Sequence, residues 1–172
     1  MSTLKVNALQ DTSGNNLSRV LQVVQTVKTD TATESLSSGV PGSTIYCPVN
    51  ITPSSSSSKL LILVTTSLSD NGTVCIILTK DGSALDGATG DAAGSRERTT
   101  ASTASDSDTR LHTVNATFLD TAGTTSQITY GFKLFCQDNN TTTIGINRMV
   151  SSYDHSYGFR SPSMVQVLEI GA

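Results

Sequence analysis

Two histidines and one neighbouring carboxylate are the side chains best suited to acid–base or metal chemistry in this chain. His155 directly follows Asp154, and such a pair can supply half of a metal site or an acid–base couple. No further Cys, His or Glu stands at ligand spacing around this pair, and His112 lies far away in an alternating stretch typical of a half-exposed strand. The sequence therefore predicts neither a bound metal nor a cofactor.

Closely spaced aspartates in the polar segment 81–110 raise the question of glycoside cleavage, which needs two carboxylates held in place. The candidate pairs are Asp86 with Asp91, and Asp106 with Asp108. They stand among Gly, Ser and Thr, where aspartate is typical of solvated turns, whereas pKa tuning needs a rigid and partly dry site. We expect no enzymatic activity. A small glycan-cleaving enzyme stays open as an alternative, as does calcium bound by the oxygens of this segment.

A cluster of aromatic and charged side chains near the C-terminus is the best candidate for ligand contact. Tyr and Phe offer rigid contact area, while Arg and Asp add polar contacts to sugars or peptides. The alternative is that the three aromatic side chains fill one end of the fold. The predicted receptor-binding residues are this cluster and two arginines of the polar segment: Tyr153, Asp154, His155, Tyr157, Phe159, Arg160, Arg96 and Arg98.

The chain that must position these groups is rich in hydroxyls and poor in charge. It holds 25 Ser and 26 Thr among 172 residues, with 15% charged and 5% aromatic residues. Hydroxyl and β-branched side chains suit the outer faces of pleated strands and compete with backbone hydrogen bonds in helices. The composition therefore favours a β-rich structural module over a helical enzyme.

Charge and hydropathy exclude several partners. The net charge is −3 and no basic stripe occurs, which argues against nucleic-acid binding. No apolar run reaches the roughly 18–20 residues of a transmembrane helix, so we expect no membrane insertion. The N-terminus lacks the features of a signal peptide, and we expect synthesis in a cytoplasm without conventional secretion.

Strand-length apolar runs separated by turn signals follow one another from about residue 43. The clearest are Lys59–Ser69, Thr73–Lys80 and Ser163–Ile170, with an Asn-Gly turn between the first two. In Ser126–Gln137 five apolar or aromatic residues stand two apart and so share one face of a strand: Ile128, Tyr130, Phe132, Leu134 and Cys136. This alternation is typical of a half-buried strand. We predict an all-β fold, an antiparallel β-sandwich or jelly roll.

The predicted core is thin. The hydrophobic fraction is 36%, and with the 13 Gly it remains below the roughly 45–50% of ordinary globular chains. We infer that apolar surface is shared between copies of the chain. The cysteines Cys47, Cys75 and Cys136 fit no zinc spacing and no redox pair, and we expect three small buried hydrophobic residues.

The pattern divides the chain into a docking arm at 1–16, a connecting strand or linker at 17–42, and a sandwich head at 43–172. The arm carries regularly placed apolar side chains that must dock on something else: Leu4, Val6 and Leu9. Residues 17–28 fit a helical stripe as well as a strand, but four valines within eight residues favour the strand. A short parallel coiled coil is the alternative there.

Several phrases resemble bacteriophage tail-fibre-like structural proteins, especially those of phages that infect cyanobacteria and other marine bacteria. They are STLKVNALQDTSGNNLSRVLQVVQTVKTDT, VNITPSSSSSKLLILV, GDAAGSRERTT and FLDTAGTTSQITYGFK, the last followed by an aliphatic strand that contains INR. The resemblance implies a virion protein, usually trimeric, whose N-terminal part attaches to the tail or baseplate and whose distal β-sandwich faces the host. This chain departs from many fibres because it has no long shaft.

From the residues and the resemblance together we expect a homotrimeric tail-fibre-type protein of the virion, made in the bacterial host. Its arm would bind tail or baseplate proteins, and its head would bind a glycan or protein of the host surface. An adaptor or capsid decoration protein that contacts only other virion proteins is the alternative.

Overall fold

A computed structural model describes residues 12, 20–70, 72–104, 107–137, 141–151, 155–156 and 158–171, and these contain eleven β-strands and no helix. In chain order they are β1 (Val20–Lys28), β2 (Ala32–Leu36), β3 (Tyr46–Ile51), β4 (Lys59–Ser69), β5 (Thr73–Lys80), β6 (Ser83–Ala84), β7 (Ala101–Ala104), β8 (His112–Thr121), β9 (Ile128–Cys136), β10 (Thr142–Ile146) and β11 (Ser163–Ile170).

Two antiparallel sheets face each other. In the first sheet the strand order is β1-β11-β4-β10-β2, and β8 pairs with the other side of β4. The second sheet has the order β3-β9-β5-β6, with β7 also paired to β5. The predicted all-β antiparallel sandwich is therefore confirmed.

The core lies between the inner faces of the two sheets. Strand β4 contributes Leu60, Ile62 and Val64, which are buried at every second position, as the alternation of a pleated strand requires. Strand β9 contributes the even-numbered face that the sequence predicted, and all five side chains are buried: Ile128, Tyr130, Phe132, Leu134 and Cys136. The three cysteines are buried free thiols, in agreement with the prediction.

The segment predicted as a connecting strand or linker, 17–42, belongs to the sandwich wherever it is described. Strand β1 pairs with β11 from Val20 to Lys28, and β2 pairs with β10 along its whole length. The alternation of β1 leaves its even-numbered side chains turned inward, which is a strand pattern and not a helical stripe. The boundary predicted at residue 43 is therefore a boundary within one fold.

The polar segment 81–110 forms weak edge strands joined by an exposed loop, one of the two alternatives left open by the sequence. β6 and β7 both pair with β5, and a single bridge joins Ala93 to Arg96 between them. Leu85, the one large apolar residue of the segment, is buried in the main core. It fixes the start of a loop whose remaining side chains are mostly exposed.

Candidate binding surfaces

The outer side of the first sheet carries an unusual amount of apolar surface. Successive side chains of a strand point to opposite faces, so the partners of one row can be read from the register. Val23 lies opposite Leu168, Leu168 opposite Leu61, and Leu61 opposite Leu119. This outer row therefore places four aliphatic side chains across four strands on the side away from the core, with Val23 52% and Leu119 54% exposed.

The next two rows in one direction along the strands continue this surface. Leu63 and Gln166 pair in the next row, and Met164 and Val27 pair in the row after that. Among the described outward side chains of these four strands the one charged group is Lys59, at the margin. We call this surface the apolar face: Leu21, Val23, Gln25, Val27, Met164, Gln166, Leu168, Ile170, Lys59, Leu61, Leu63, Thr65, Thr113, Asn115, Thr117, Leu119 and Thr121.

Four polar members of the apolar face bond to each other in two pairs. Thr65 Oγ1 donates to Asn115 Oδ1 at 2.9 Å, and Lys59 Nζ donates to Thr121 Oγ1 at 2.7 Å. Polar groups that already have partners can be covered at less cost than unpartnered ones. The face combines exposed apolar side chains with these two hydrogen-bonded pairs, which favours coverage by another protein.

The loop with the predicted receptor-binding cluster leaves the first sheet at a fixed point. Strands β10 and β11 pair with consecutive parts of the same side of β4, and the loop joins them in the chain. Asn147 starts this loop in a left-handed conformation, with φ of 59°, and its amide donates to the carbonyls of Lys28 and Asp30 at 2.8 and 2.9 Å. The buried Ser163 hydroxyl donates to Asn147 Oδ1 at 2.6 Å and anchors the start of the loop.

Three of the predicted receptor-binding residues on this loop are described, and all three are exposed. Phe159 is 66% exposed, so it does not fill the end of the sandwich. His155 and Arg160 are exposed as well, and His155 Nδ1 lies 3.2 Å from the Ser156 hydroxyl. Six other predicted residues lie outside the described part of the chain: Tyr153, Asp154 and Tyr157 of this cluster, and Leu4, Val6 and Leu9 of the arm.

The outer side of the second sheet carries a cavity. Cys75, Ile77 and Phe135 form a buried cluster separate from the main core, on the strand faces turned away from the first sheet. The exposed loop of the polar segment passes over this cluster. Between them lies a cavity of about 450 Å³ lined by Thr73, Cys75, Ser95, Arg96, Glu97, Thr99, Ser102, Phe135 and Gln137.

The two arginines predicted in this loop have different roles. Arg96 lines the cavity, and one of its guanidinium N–H groups donates to the carbonyl of Ala93 at 3.2 Å. Arg98 Nε donates to the carbonyl of Gly90 at 2.6 Å and so closes the loop on itself. Arg96 is therefore available to a ligand, while Arg98 holds the loop that presents it.

The two outer surfaces lie on opposite sides of the sandwich. A partner that covers the apolar face on the first sheet leaves the Arg96 cavity on the second sheet open. Among the described residues, no three His, Cys, Asp or Glu side chains are grouped so as to hold a metal ion. The described residues also contain no helix long and apolar enough to cross a membrane.

The most perturbed titratable groups sit inside the sandwich rather than at either surface. Burial raises the pKa of Tyr130, and its hydrogen bond to Asp120 raises it further. Burial alone would raise the pKa of Glu169, but hydrogen bonds from Ser54 and Gln22 outweigh it and lower the pKa to about 2. Both groups hold hydrogen bonds between separate strands or loops of the sandwich.

Sequence reasoning missed both surfaces as assembled units. The signal for the cavity was available, because Thr73–Lys80 and the end of Ser126–Gln137 are apolar at consecutive positions, which indicates that both strand faces are covered. What covers the second face was not evident, since the loop contributes only polar and charged side chains at Ser95, Arg96, Glu97 and Thr99.

No protein-family model and no curated protein matches this chain. Among solved structures, the TNF protein Eiger from S. frugiperda is similar with a TM-score of 0.45 and 9% sequence identity, over 89% of this chain and 94% of that chain.

Proposed function

We propose that this protein is a virion structural protein of the tail-fibre type, which assembles as a homotrimer and binds the host surface. The arm at 1–16 attaches it to the tail or baseplate. The apolar face packs against the other copies, and the exposed loops of the head meet the host. The protein is made in the host cytoplasm, functions in the virion and carries out no catalysis.

The observation that carries this proposal is the apolar face. Four strands about 4.8 Å apart and eight residues long make a surface of roughly 20 by 25 Å. Nine of its seventeen side chains are apolar, and exposed apolar patches are often interaction sites. The surface also includes β1 and β8, which lie at edges of the first sheet among the described strands.

A second copy of the same chain is the partner that suits this surface best. A face that meets its own copies must avoid like charges, and the one charged side chain here, Lys59, lies at the margin and already bonds to Thr121. The chain is also short of apolar residues for its length, at 36% hydrophobic, so covering this face adds a core that one copy lacks.

Host binding is supported by exposed contact groups on loops. Phe159 and Arg160 project from one loop, and Arg96 from another on the second sheet. A trimer presents three such sets at once, so weak single sites add up to strong attachment. The resemblance of the sequence to tail-fibre-like proteins supports attachment of a phage particle to its host cell.

The test is binding of fluorescently labelled full-length protein to cells of the host on which the particle grows. We expect wild type to bind, and a variant with Tyr153, Tyr157 and Phe159 all changed to Ala to lose binding while its mass in solution stays unchanged. Retained binding by this variant would exclude that patch as the contact surface.

A second arm of the experiment addresses the alternative of an adaptor or decoration protein. Deleting residues 2–16 should remove the protein from purified particles while the isolated variant still binds cells. Wild-type protein that never binds cells, but is lost from particles on the same deletion, would favour the alternative.

A further inference from the structure

We propose that the copies of this chain join edge to edge, with β1 of one copy paired antiparallel to β8 of the next, so that the apolar faces turn toward a shared axis. The inference rests on the proposed function and deepens it by naming the two surfaces that meet. A three-fold axis brings one patch of a copy onto a different patch of its neighbour, so a trimer needs two complementary patches on each chain. The two edges of the apolar face supply such a pair.

The backbone of β8 turns its odd-numbered groups away from the sheet. Ala122 N donates to the carbonyl of Ser58 at 3.0 Å, one step beyond the last pair of the β4–β8 ladder. Successive residues of an antiparallel strand point their N–H and C=O groups to alternate sides, so the even-numbered groups of β8 face β4 and the odd-numbered ones face outward. From Thr113 to Leu119 these outward groups make no hydrogen bond with any residue that the structure describes.

Strand β1 presents the same kind of edge on the other side of the apolar face. On the side of β4 that β10 and β11 share, the odd-numbered groups form the bonds, as Asn147 N shows by donating to the carbonyl of Ser67 at 2.8 Å. The registers of β11 and β1 then assign the even-numbered groups of β1 to β11. Val23, Gln25 and Val27 therefore carry outward backbone groups, and within the described ranges no hydrogen bond reaches these either.

Neither edge has the features that usually keep edge strands from pairing, which are charged side chains, proline and bulges. The residues of β8 with outward groups between Thr113 and Leu119 are Thr, Asn and Leu, and its ladder with β4 has no register shift. The shift in β1 lies at its start, before Val23. Only the end of β8 is closed, because Thr121 N donates to Asp120 Oδ1 at 2.7 Å. Both edges are thus open to a further strand.

The rows of the sheet fix which residues meet. Rotation about a three-fold axis that runs along the strands moves no residue along that axis, so residues at the same height meet. Val23 and Leu119 end the same row, which places Val23 of one copy opposite Leu119 of the next. Strands β1 and β8 run in opposite directions, so the new pair is antiparallel and Gln25 meets Thr117. Odd-numbered residues then face odd-numbered ones, which brings the outward backbone groups of both strands together.

Charge and area both suit a second copy as the partner. The side chains that meet in this register are Val, Gln, Leu, Thr and Asn, so no like charges are brought together. The apolar face of roughly 20 by 25 Å and the two edges of about the same length together cover on the order of 1,000 Å² of each copy. Specific interfaces of standard size bury roughly 800 Å² per partner. The contact is therefore large enough to hold the copies together.

The test is cross-linking of a full-length variant that carries Val23→Cys and Leu119→Cys. The reagent is dibromobimane, which joins two thiols only over a short distance. Within one copy these positions lie three strand spacings apart, about 14 Å, so the reagent joins them only between copies. We expect species of two and three chains on a denaturing gel. The native cysteines are buried, so wild type treated in the same way should run as a single chain.

The matched control is Val27→Cys with Leu119→Cys, which moves one thiol by four residues, about 13 Å along the strand, and should not cross-link. Gln25→Cys with Thr117→Cys probes the same contact at polar positions and should cross-link as the first pair does. If neither of these two expected pairs cross-links in protein whose mass stays that of three chains, the inference is overturned. A cross-linked dimer of Leu119→Cys alone would show a two-fold contact and also overturns it.

The docking arm is the other candidate to cover these edges. Deleting residues 2–16 should leave the cross-link unchanged. A cross-link that forms only after this deletion would show that the arm covers an edge in the full-length chain, and the inference would be lost.

Failure of this inference and failure of the proposed function give different results. Protein of three chains that binds host cells but does not cross-link keeps the function and loses this contact. Protein that cross-links as expected, but binds neither cells nor particles, keeps the contact and loses the function.

Discussion

The hydroxyl of Tyr130 donates to Asp120 Oδ2 at 2.6 Å and so links the two sheets, because Asp120 lies on β8 and Tyr130 on β9. Lys80 Nζ donates to the same carboxylate oxygen at 2.8 Å from β5. Burial alone would raise the pKa of Asp120, but hydrogen bonds from Lys80 and Tyr130 lower it. A half-buried carboxylate is thereby kept ionised between two sheets that otherwise meet through apolar side chains.

Changing Tyr130→Phe should lower the free energy of unfolding by about 1–2 kcal/mol, since it removes a hydrogen bond to a charged group and adds no cavity. Urea unfolding at neutral pH measures this. Thr143→Val is the control, because it removes an exposed hydroxyl pair with Ser35 and should cost less than about 0.5 kcal/mol. Equal stability of the Tyr130 variant and wild type would mean that this bond contributes nothing to holding the sheets together.

Glu169 gives the fold a dependence on acid. Its side chain is fully buried, and it accepts from Ser54 N and Ser54 Oγ at 2.8 and 2.6 Å and from Gln22 Nε2 at 2.6 Å. These donors join β1 and the five-serine loop to the last strand. They require an ionised carboxylate, which is why the pKa of Glu169 is lowered from 4.5 to about 2 despite burial.

A lowered pKa means that the unfolded chain binds a proton first, so this stabilisation is complete above about pH 4.5 and is lost as the pH falls towards about 2. We expect Glu169→Gln to lower stability at neutral pH by on the order of 1–3 kcal/mol and to flatten the profile in that window. Ser54→Ala should give an intermediate slope, because the backbone donor remains. Unfolding by urea at a series of pH values checks this, and an unchanged slope in the Gln variant would refute the assignment.

Gly145 lies near the end of β10, just before the loop that carries Phe159 and Arg160. A Cβ at this position would lie 2.5 Å from the Arg148 carbonyl oxygen and 3.2 Å from the Val150 nitrogen, both of which are backbone atoms. Gly145→Ala should therefore cost about 1–3 kcal/mol and shift the loop.

The matched control is Gly90→Ala, where an added Cβ meets nothing within 4 Å. Thermal unfolding of the two variants should show a lowered Tm for the first and an unchanged or slightly raised Tm for the second. Equal Tm values would show that the 148–150 turn adjusts freely and does not fix the loop.

The strands were predictable because their signals are local. Lys59–Ser69, Thr73–Lys80 and Ser163–Ile170 have the bounds that apolar runs and turn residues indicated. The inward faces of β8 and β9 also follow from alternation alone. Such patterns involve residues only two apart, and they do not depend on which strands become neighbours.

The two candidate surfaces were not predictable because they depend on pairing between distant segments. Val23, Leu61, Leu119 and Leu168 form one row only through the register of four strands, and a slip by one residue would turn any of them inward. Arg96 and Phe135 likewise line one cavity only because of the path of the loop, and this loop has no periodic pattern from which its path could be predicted.

The most direct test of the apolar face as the contact between copies is the mass of full-length protein by sedimentation equilibrium at micromolar concentration. We expect wild type at about 54 kDa, three times the 18.0 kDa of one chain. A double variant, Val23→Asp with Leu119→Asp, should sediment as a folded species of one chain, because each added charge is at an exposed position and would be buried only on assembly. Asn50→Asp adds a charge to the exposed side of β3 in the second sheet and should leave the trimer intact. Wild-type protein that sediments as a single chain at every concentration, or a trimer that survives both aspartates, would contradict the account.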